Sequence, residues 1–291
     1  MGAFTTLKLK LGSSMTTSVE LTDHGRRRMI SIAALSALAL VVIFINFGIK
    51  IIDKRPSATF SARLAGFPMI MLWAWERPEK IDFIDTRRVG VAFLMKTIYL
   101  HDNQVVIRHR LNPLQYPPGT ALMAVARIEV PPGKAPVYSP DQESKVVAEL
   151  LAISRLQGIT AIQIDFDARV SARNFYRRVL LALRRQLPDS IALSITALAS
   201  WGTYDRWLSN VKIDEAATML FRMGPDRELF LQRLRSGQDF SPSMCRLSYG
   251  ISTDEPLDKS LYQFLSRRRI YIFHPKPWTQ GALTQVLEEM Q

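Results

Sequence analysis

From Met69 onward, apolar runs of strand length recur along the chain at Met69–Trp75, Val89–Ile98, Ala121–Ile128, Thr160–Phe166, Ile191–Ala199, Glu215–Met223, Arg246–Ser252 and Arg268–His274. Most are nearly continuous rather than alternating, as expected of parallel strands buried on both faces. Helical patterns lie between them. Asp141–Leu156 places Val146, Val147, Leu150, Leu151 and Ile153 on one side, and Ser139-Pro140-Asp141 supplies a start signal. Ser171–Leu187 carries Phe175, Val179, Ala182 and Leu183 at helical spacing, and shorter helices are predicted over Thr203–Ser209, Asp226–Arg235, Pro256–Arg267 and Trp278–Met290. Strands alternating with helices predict a parallel α/β sheet. A count of eight predicts a closed (β/α)8, TIM-like barrel, with an open doubly wound sheet as the alternative. Between the second and third strands, His101–Gly119 contains Asn112-Pro113 and Pro117-Pro118-Gly119 and cannot be an ordinary helix. A β-hairpin around Val105-Val106-Ile107 fits it.

The chain before Met69 reads differently. Met29–Ile49 is uncharged throughout and is bracketed by Arg26-Arg27-Arg28 and Lys50. As a helix it spans roughly 31 Å, against a hydrocarbon core of about 30 Å. A buried core helix and a cleaved signal peptide are the rivals. The run is long for a signal peptide, and IIDKRPSATFSARL after it holds no clean Ala-Xaa-Ala site. The expected organisation is a tail (1–28), a transmembrane anchor (29–52), a linker (53–68) and a barrel domain (69–291). Arg26, Arg27 and Arg28 on one side nearly balance Lys50, Lys54 and Arg55 on the other. The cluster set directly against the helix favours a cytoplasmic tail, an inner-membrane location and an extracytoplasmic barrel.

Composition narrows the chemistry. The chain is 47% apolar and 22% charged, a globular profile. Its net charge is +12, and eight Lys/Arg against three Asp/Glu already lie within the first 59 residues. Such an excess suits nucleic acid, anionic headgroups or an acidic polysaccharide, and does not choose among them. The helix arginines Arg173, Arg177, Arg178, Arg184 and Arg185 read as a solvated polar face, so no nucleic-acid partner is expected. Cys245 is the single cysteine, and the four histidines are scattered at 24, 101, 109 and 274. Neither a disulfide nor a metal site follows, and no cofactor is expected. Phosphate-binding glycine loops, a dinucleotide fingerprint and a nucleophile elbow are all missing from the sequence.

In such a barrel, function sits where the strands end. On the fourth run, Gln163, Asp165 and Asp167 share one face, and Ile162, Ile164 and Phe166 the other. The polar set would project into the barrel mouth. Neighbouring negative charge and partial burial raise one carboxyl's pKa, which prepares a general acid beside an ionised partner. The competing reading makes Asp165 a buried hydrogen-bonding residue and Asp167 a helix cap. Other strand ends add Trp75 and Glu76, Arg127 and Glu129, Arg169, Trp201, Arg222, Asp254 and Glu255, and His274 and Trp278. The tryptophans suit sugar stacking, though they would serve equally as core.

The segments LWAWERPE (72–79), PPGT (117–120), ARIEV (126–130), QIDFDAR (163–169), LSITALASW (193–201), LFRMG (220–224), GISTDEP (250–256) and YIFHPKPW (271–278) resemble a bacterial family, domain-of-unknown-function family 3142, over residues 69–279. More distantly, the fourth strand is similar to that of chitinase-like glycoside hydrolases, whose motif ends Asp-Xaa-Asp-Xaa-Glu. On that pattern Asp165 takes the last aspartate and Asp167 the position of the acid. The sequence departs from it twice, with Gln163 for the earlier aspartate and Asp for Glu.

Two functions follow as expectations. In the first, a membrane-anchored glycoside-hydrolase-like barrel acts on a cell-envelope polysaccharide. Asp167 is the acid, Asp165 tunes it, and Asp254, Glu255 or the substrate itself supplies the nucleophile or base. In the second, a catalytically silent barrel binds glycan or an envelope partner. Glu76, Trp75, Arg127, Glu129, Gln163, Arg169, Trp201, Arg222, His274 and Trp278 are the expected substrate contacts.

Overall fold

A computed structural model describes residues 7–8, 18–19 and 61–291, apart from 134, 204–206 and 209. The chain divides into two compact units, Met1–Ser57 and Ala58–Gln291. In the first, Leu7–Lys8 pairs antiparallel with Ser18–Val19. The expected anchor at Met29–Ile49 lies outside the described residues. Among those described, no helix is long and apolar enough to cross a membrane.

The second unit is built on eight parallel strands: β1 (Ile70–Ala74), β2 (Val89–His101), β3 (Leu122–Glu129), β4 (Ala161–Asp165), β5 (Ala192–Leu198), β6 (Glu215–Met219), β7 (Ser248–Ser252) and β8 (Arg269–Phe273). Each pairs with the next, and β1 pairs with both β2 and β8, so the sheet closes into a barrel. Closure excludes the open doubly wound alternative. Six helices follow β3 to β8: α1 (Pro140–Ser154), α2 (Arg173–Gln186), α3 (Ala199–Thr203), α4 (Arg227–Arg235), α5 (Lys259–Leu265) and α6 (Gln280–Glu289). The α1 start is a reciprocal cap, in which the Ser139 hydroxyl accepts from Gln142 N–H and the Gln142 side chain accepts from Ser139 N–H.

No helix follows β1 or β2. Instead β2 runs beyond the barrel and folds back onto Gln104–His109 as an antiparallel hairpin, with Asp102 at φ 46° in the turn. This is the hairpin expected around Val105-Val106-Ile107. A second difference lies after β5. The helix expected over Thr203–Ser209 lies in part outside the described residues, and α3 begins as soon as the strand ends. The early turn tucks Trp201 fully beneath the surface, edge-on to Trp207 at 4.8 Å.

The core has two layers. Outward strand residues such as Leu72, Val91, Ile162 and Ile195 pack with helix residues such as Leu150, Val179 and Leu261. Met71, Trp73, Ala92, Leu94, Met123, Val125, Ala161, Ala192, Ala217, Tyr271 and Phe273 fill the barrel, and Leu64 and Phe67 join them from the segment before β1. Gly90 belongs here for a steric reason, since a Cβ would come within 2.7 Å of Met71 Sδ and 3.0 Å of Ala121 O. The interior also holds a buried ion pair, Arg269 to Glu215 at 2.7 Å. Tyr271 donates its hydroxyl proton to the same carboxylate, and Ser194 Oγ donates to it at 3.3 Å. Arg269 donates further to the carbonyls of Leu64, Phe67 and Pro68, which holds the chain before β1 against the barrel.

Candidate active site

Asp165 is the last residue of β4 and faces the barrel mouth, where it is 9% exposed. Thr196 Oγ1, from β5, donates to Asp165 Oδ1 at 2.7 Å. Arg127 is its cross-strand neighbour on β3, and the guanidinium Nε lies 3.7 Å from Asp165 Oδ2. Burial pushes the Asp165 carboxyl up to about 6, and the charge of Asp167 adds to the rise. The Thr196 hydrogen bond and the Arg127 charge pull the other way.

After β4 the chain turns sharply, with Ala168 N–H donating to Phe166 O at 2.7 Å. Asp167 is carried to the exposed lip. Its carboxyl is nevertheless raised by desolvation against the cleft wall, with Arg127 opposing. It caps no helix: the 3-10 turn Val170–Ala172 and α2 both start without a side-chain cap. The helix-cap reading of Asp167 is therefore excluded.

A cleft of about 1210 Å³ opens over the ends of β2, β3 and β4. Asp165, Asp167, Arg127, Glu129 and Arg169 line it, together with Tyr99, Tyr138 and the Pro131-Pro132-Gly133 loop. Trp75 stands behind Arg127, its ring centroid 5.5 Å from the guanidinium carbon. Strand three thus brings Arg127 and Glu129 to the cleft.

The remaining sequence candidates lie elsewhere. Asp254 and Glu255, in the β7–α5 loop, do not line the cleft. Asp254 accepts from the Ser252 hydroxyl and lies 3.7 Å from Arg222, and Glu255 accepts from Arg222 N–H at 2.9 Å. The Ser252 bond, with Arg222 and His274, holds the Asp254 carboxyl below the usual range. His274 Nδ1 sits 2.6 Å from Thr253 Oγ1, and burial depresses its pKa. Glu76 pairs with Arg108 at 2.9 Å.

Three expected sugar contacts are corrected outright. Gln163 is fully buried, one layer below Asp165, and donates to Ser194 Oγ at 2.8 Å. Trp201 is fully buried among Tyr176 and Trp207. Trp278 is buried too, with Nε1 donating to Trp73 O at 2.9 Å. None of the three presents a face to a ligand. Both tryptophans sit just beyond a strand end, where a residue can fold in as readily as out.

Tyr99, Tyr138 and Thr196 enter the site without having been expected there. A bulge between Leu94 and Lys96 flips the parity of β2. Before it, Ala92 and Leu94 face the barrel; after it, Ile98 and Leu100 pack in the outer layer and Tyr99 reaches the cleft. Tyr138 sits at φ 56° in the loop before α1, its ring 5.0 Å from Phe175. Thr196 was legible as the second polar residue, after Ser194, on the inward face of an apolar strand.

The family model described as Domain of unknown function (DUF3142) matches residues 119–231. The match takes in β3, β4, β5 and β6, and with them Arg127, Glu129, Asp165, Asp167 and Thr196. It is narrower than the resemblance over 69–279. No curated protein matches the chain.

Among solved structures, a Streptomyces coelicolor protein assigned as a chitinase A is similar at a TM-score of 0.53 with 11% identity, over 77% of this chain and 97% of that one. The spore cortex-lytic enzyme SleL of Bacillus cereus is similar at a TM-score of 0.39 with 15% identity, over 62% of this chain and 50% of that one. The chitinase domain of the spore coat protein CotE from Clostridium difficile is similar at 0.36 with 14% identity, over 74% and 67%. The first likeness shows a TIM-like barrel as the fold.

Proposed function

We propose that this is a membrane-anchored, glycoside-hydrolase-like barrel acting on a cell-envelope polysaccharide by carboxylate acid–base chemistry. One observation carries the reading: Asp165 and Asp167 share one cleft, both with raised carboxyl pKa values, at the strand ends of a chitinase-type barrel. Asp167, on the lip, is the proton donor to the glycosidic oxygen. Asp165, below it, shares the negative charge and is oriented by Thr196. Tyr99 and Tyr138 offer aromatic walls for sugar rings. Asp254 and Glu255 do not line the cleft, which favours a nucleophile supplied by the substrate. The uncharged segment Met29–Ile49, with Arg26-Arg27-Arg28 before it, supports anchoring in the inner membrane with the barrel outside.

The test is release of reducing sugar from purified envelope polysaccharides, wild type beside Asp167→Asn. Loss of a general acid lowers the rate about 10²–10⁴-fold. The same substitution leaves the melting temperature unchanged or slightly higher, since it relieves a desolvated charge. A second reading, glycan binding without turnover, draws on Glu129, the other carboxylate lining the cleft. It is engaged by Arg127 at 2.8 Å rather than held ready for catalysis. A wild type that retains glycan on a column and releases no sugar favours that reading.

A further inference from the structure

We propose that Arg127 is the positioning residue that sets the charge state of the Asp165–Asp167 pair, and that Glu129 is its counterweight. The assignment rests on those two aspartates being the acid–base pair. Arg127 and Glu129 stand two residues apart at the end of β3, on the same face of the strand. Arg127 Nε lies 2.8 Å from Glu129 Oε1 and 3.7 Å from Asp165 Oδ2, so one guanidinium stands between two carboxylates. Its other constraint is the Trp75 ring, over which it sits at 5.5 Å. Thr196 occupies Asp165 Oδ1, so Oδ2 is the oxygen left toward Arg127.

The guanidinium is 35% exposed and lines the same cleft as Asp167, and its charge favours the ionised form of both aspartates. The negative charge of Glu129 acts on Asp165 in the opposite sense. A shift of Arg127 toward Glu129 lets Asp165 keep a proton, and a shift toward Asp165 draws the proton off. Substrate oxygens that compete for Glu129 or Arg127 would thereby retune the pair on binding. The Trp75 ring holds the guanidinium within reach of both.

The experiment follows the carboxyl ¹³C resonances of Asp165 and Asp167 against pH, without substrate. It therefore reads the pair even in a protein that turns over no glycan, and its failure is separable from failure of the glycosidase reading. Arg127→Gln is expected to raise the Asp165 midpoint by about 1 on the pH scale, the low end for loss of an opposite charge at this range. A smaller rise is expected at Asp167. Glu129→Gln is expected to lower the Asp165 midpoint. Midpoints that stay fixed, or that move the same way in both variants as a general change in burial would move them, overturn the proposal. Arg127→Lys keeps the charge and should stay near wild type; a midpoint as high as that of Arg127→Gln overturns it. If Arg127→Gln does not fold, Glu129→Gln decides: a lowered midpoint supports the proposal and an unmoved one ends it.

Discussion

Thr196 Oγ1 donates a 2.7 Å hydrogen bond to Asp165 Oδ1, and that single bond ties the end of β5 to the candidate acid–base residue on β4. A hydrogen bond to the ionised carboxylate favours ionisation, so Thr196→Val removes one of the two influences that hold the Asp165 pKa down. The Asp165 midpoint should rise above its present value of about 6. The side chains are nearly isosteric, so packing is conserved. The fold should lose about 1–3 kcal/mol at pH 8, where an ionised carboxylate loses its donor, and less at pH 5. Chemical denaturation at the two pH values, beside an NMR titration, checks both parts.

Asp165 also predicts a pH dependence of stability. Its carboxyl titrates at about 6 in the folded protein against a reference of 3.8. The fold favours the neutral form, so the group weighs against stability as pH rises past 3.8, and the full penalty is present above about 6. At 1.36 kcal/mol per pH unit the penalty is of order 1–3 kcal/mol. Asp165→Asn should therefore melt higher than wild type at pH 7.5, and the gap should close by pH 4. A gap of constant size across that range would show that the substitution acts through packing rather than charge.

The pair Glu215–Arg269 is buried on both sides, at 0% and 1% exposure. Removing one partner leaves a buried charge without its main counter-ion, which costs about 3–5 kcal/mol. Glu215→Ala should lose that much in urea unfolding. Replacing both partners with Met should recover most of it. A single substitution costing less than about 1 kcal/mol would mean that water or a rearranged partner reaches Arg269.

The barrel's location is testable without a substrate. A phosphatase that is active only once exported, fused after Gln291, should be active, and the fusion should sediment with membranes. Activity from a cytoplasm-only reporter at the same site would reverse the orientation. A soluble fusion whose N-terminus begins after about residue 59 would show processing instead of anchoring.

Periodicity made the barrel legible. Each of the eight observed strands overlaps its apolar run, because a strand covered on both faces has no polar alternation to hide it. Asp165 was legible for a related reason, as the last residue of β4 on its inward face, whereas Asp167 reaches the cleft only through the turn that follows the strand. Arg127 and Glu129, two residues apart at the end of β3, were legible in the way Asp165 was. What lay outside the reach of pattern was whatever depends on a neighbour. The bulge at Leu94–Lys96 re-aims Tyr99 through pairing with β3, and nothing local marks it. Trp201 and Trp278 carry the composition of a sugar platform but are buried, because α3 and the β8–α6 loop fold inward onto Tyr176 and onto Trp73. Asp254 and Glu255 are as acidic as Asp165, yet the β7–α5 loop commits them to Ser252 and Arg222. A strand's facing is set by its own alternation. A loop residue's facing is set by which distant side chain gives it the better contact, and that is decided only when the barrel closes.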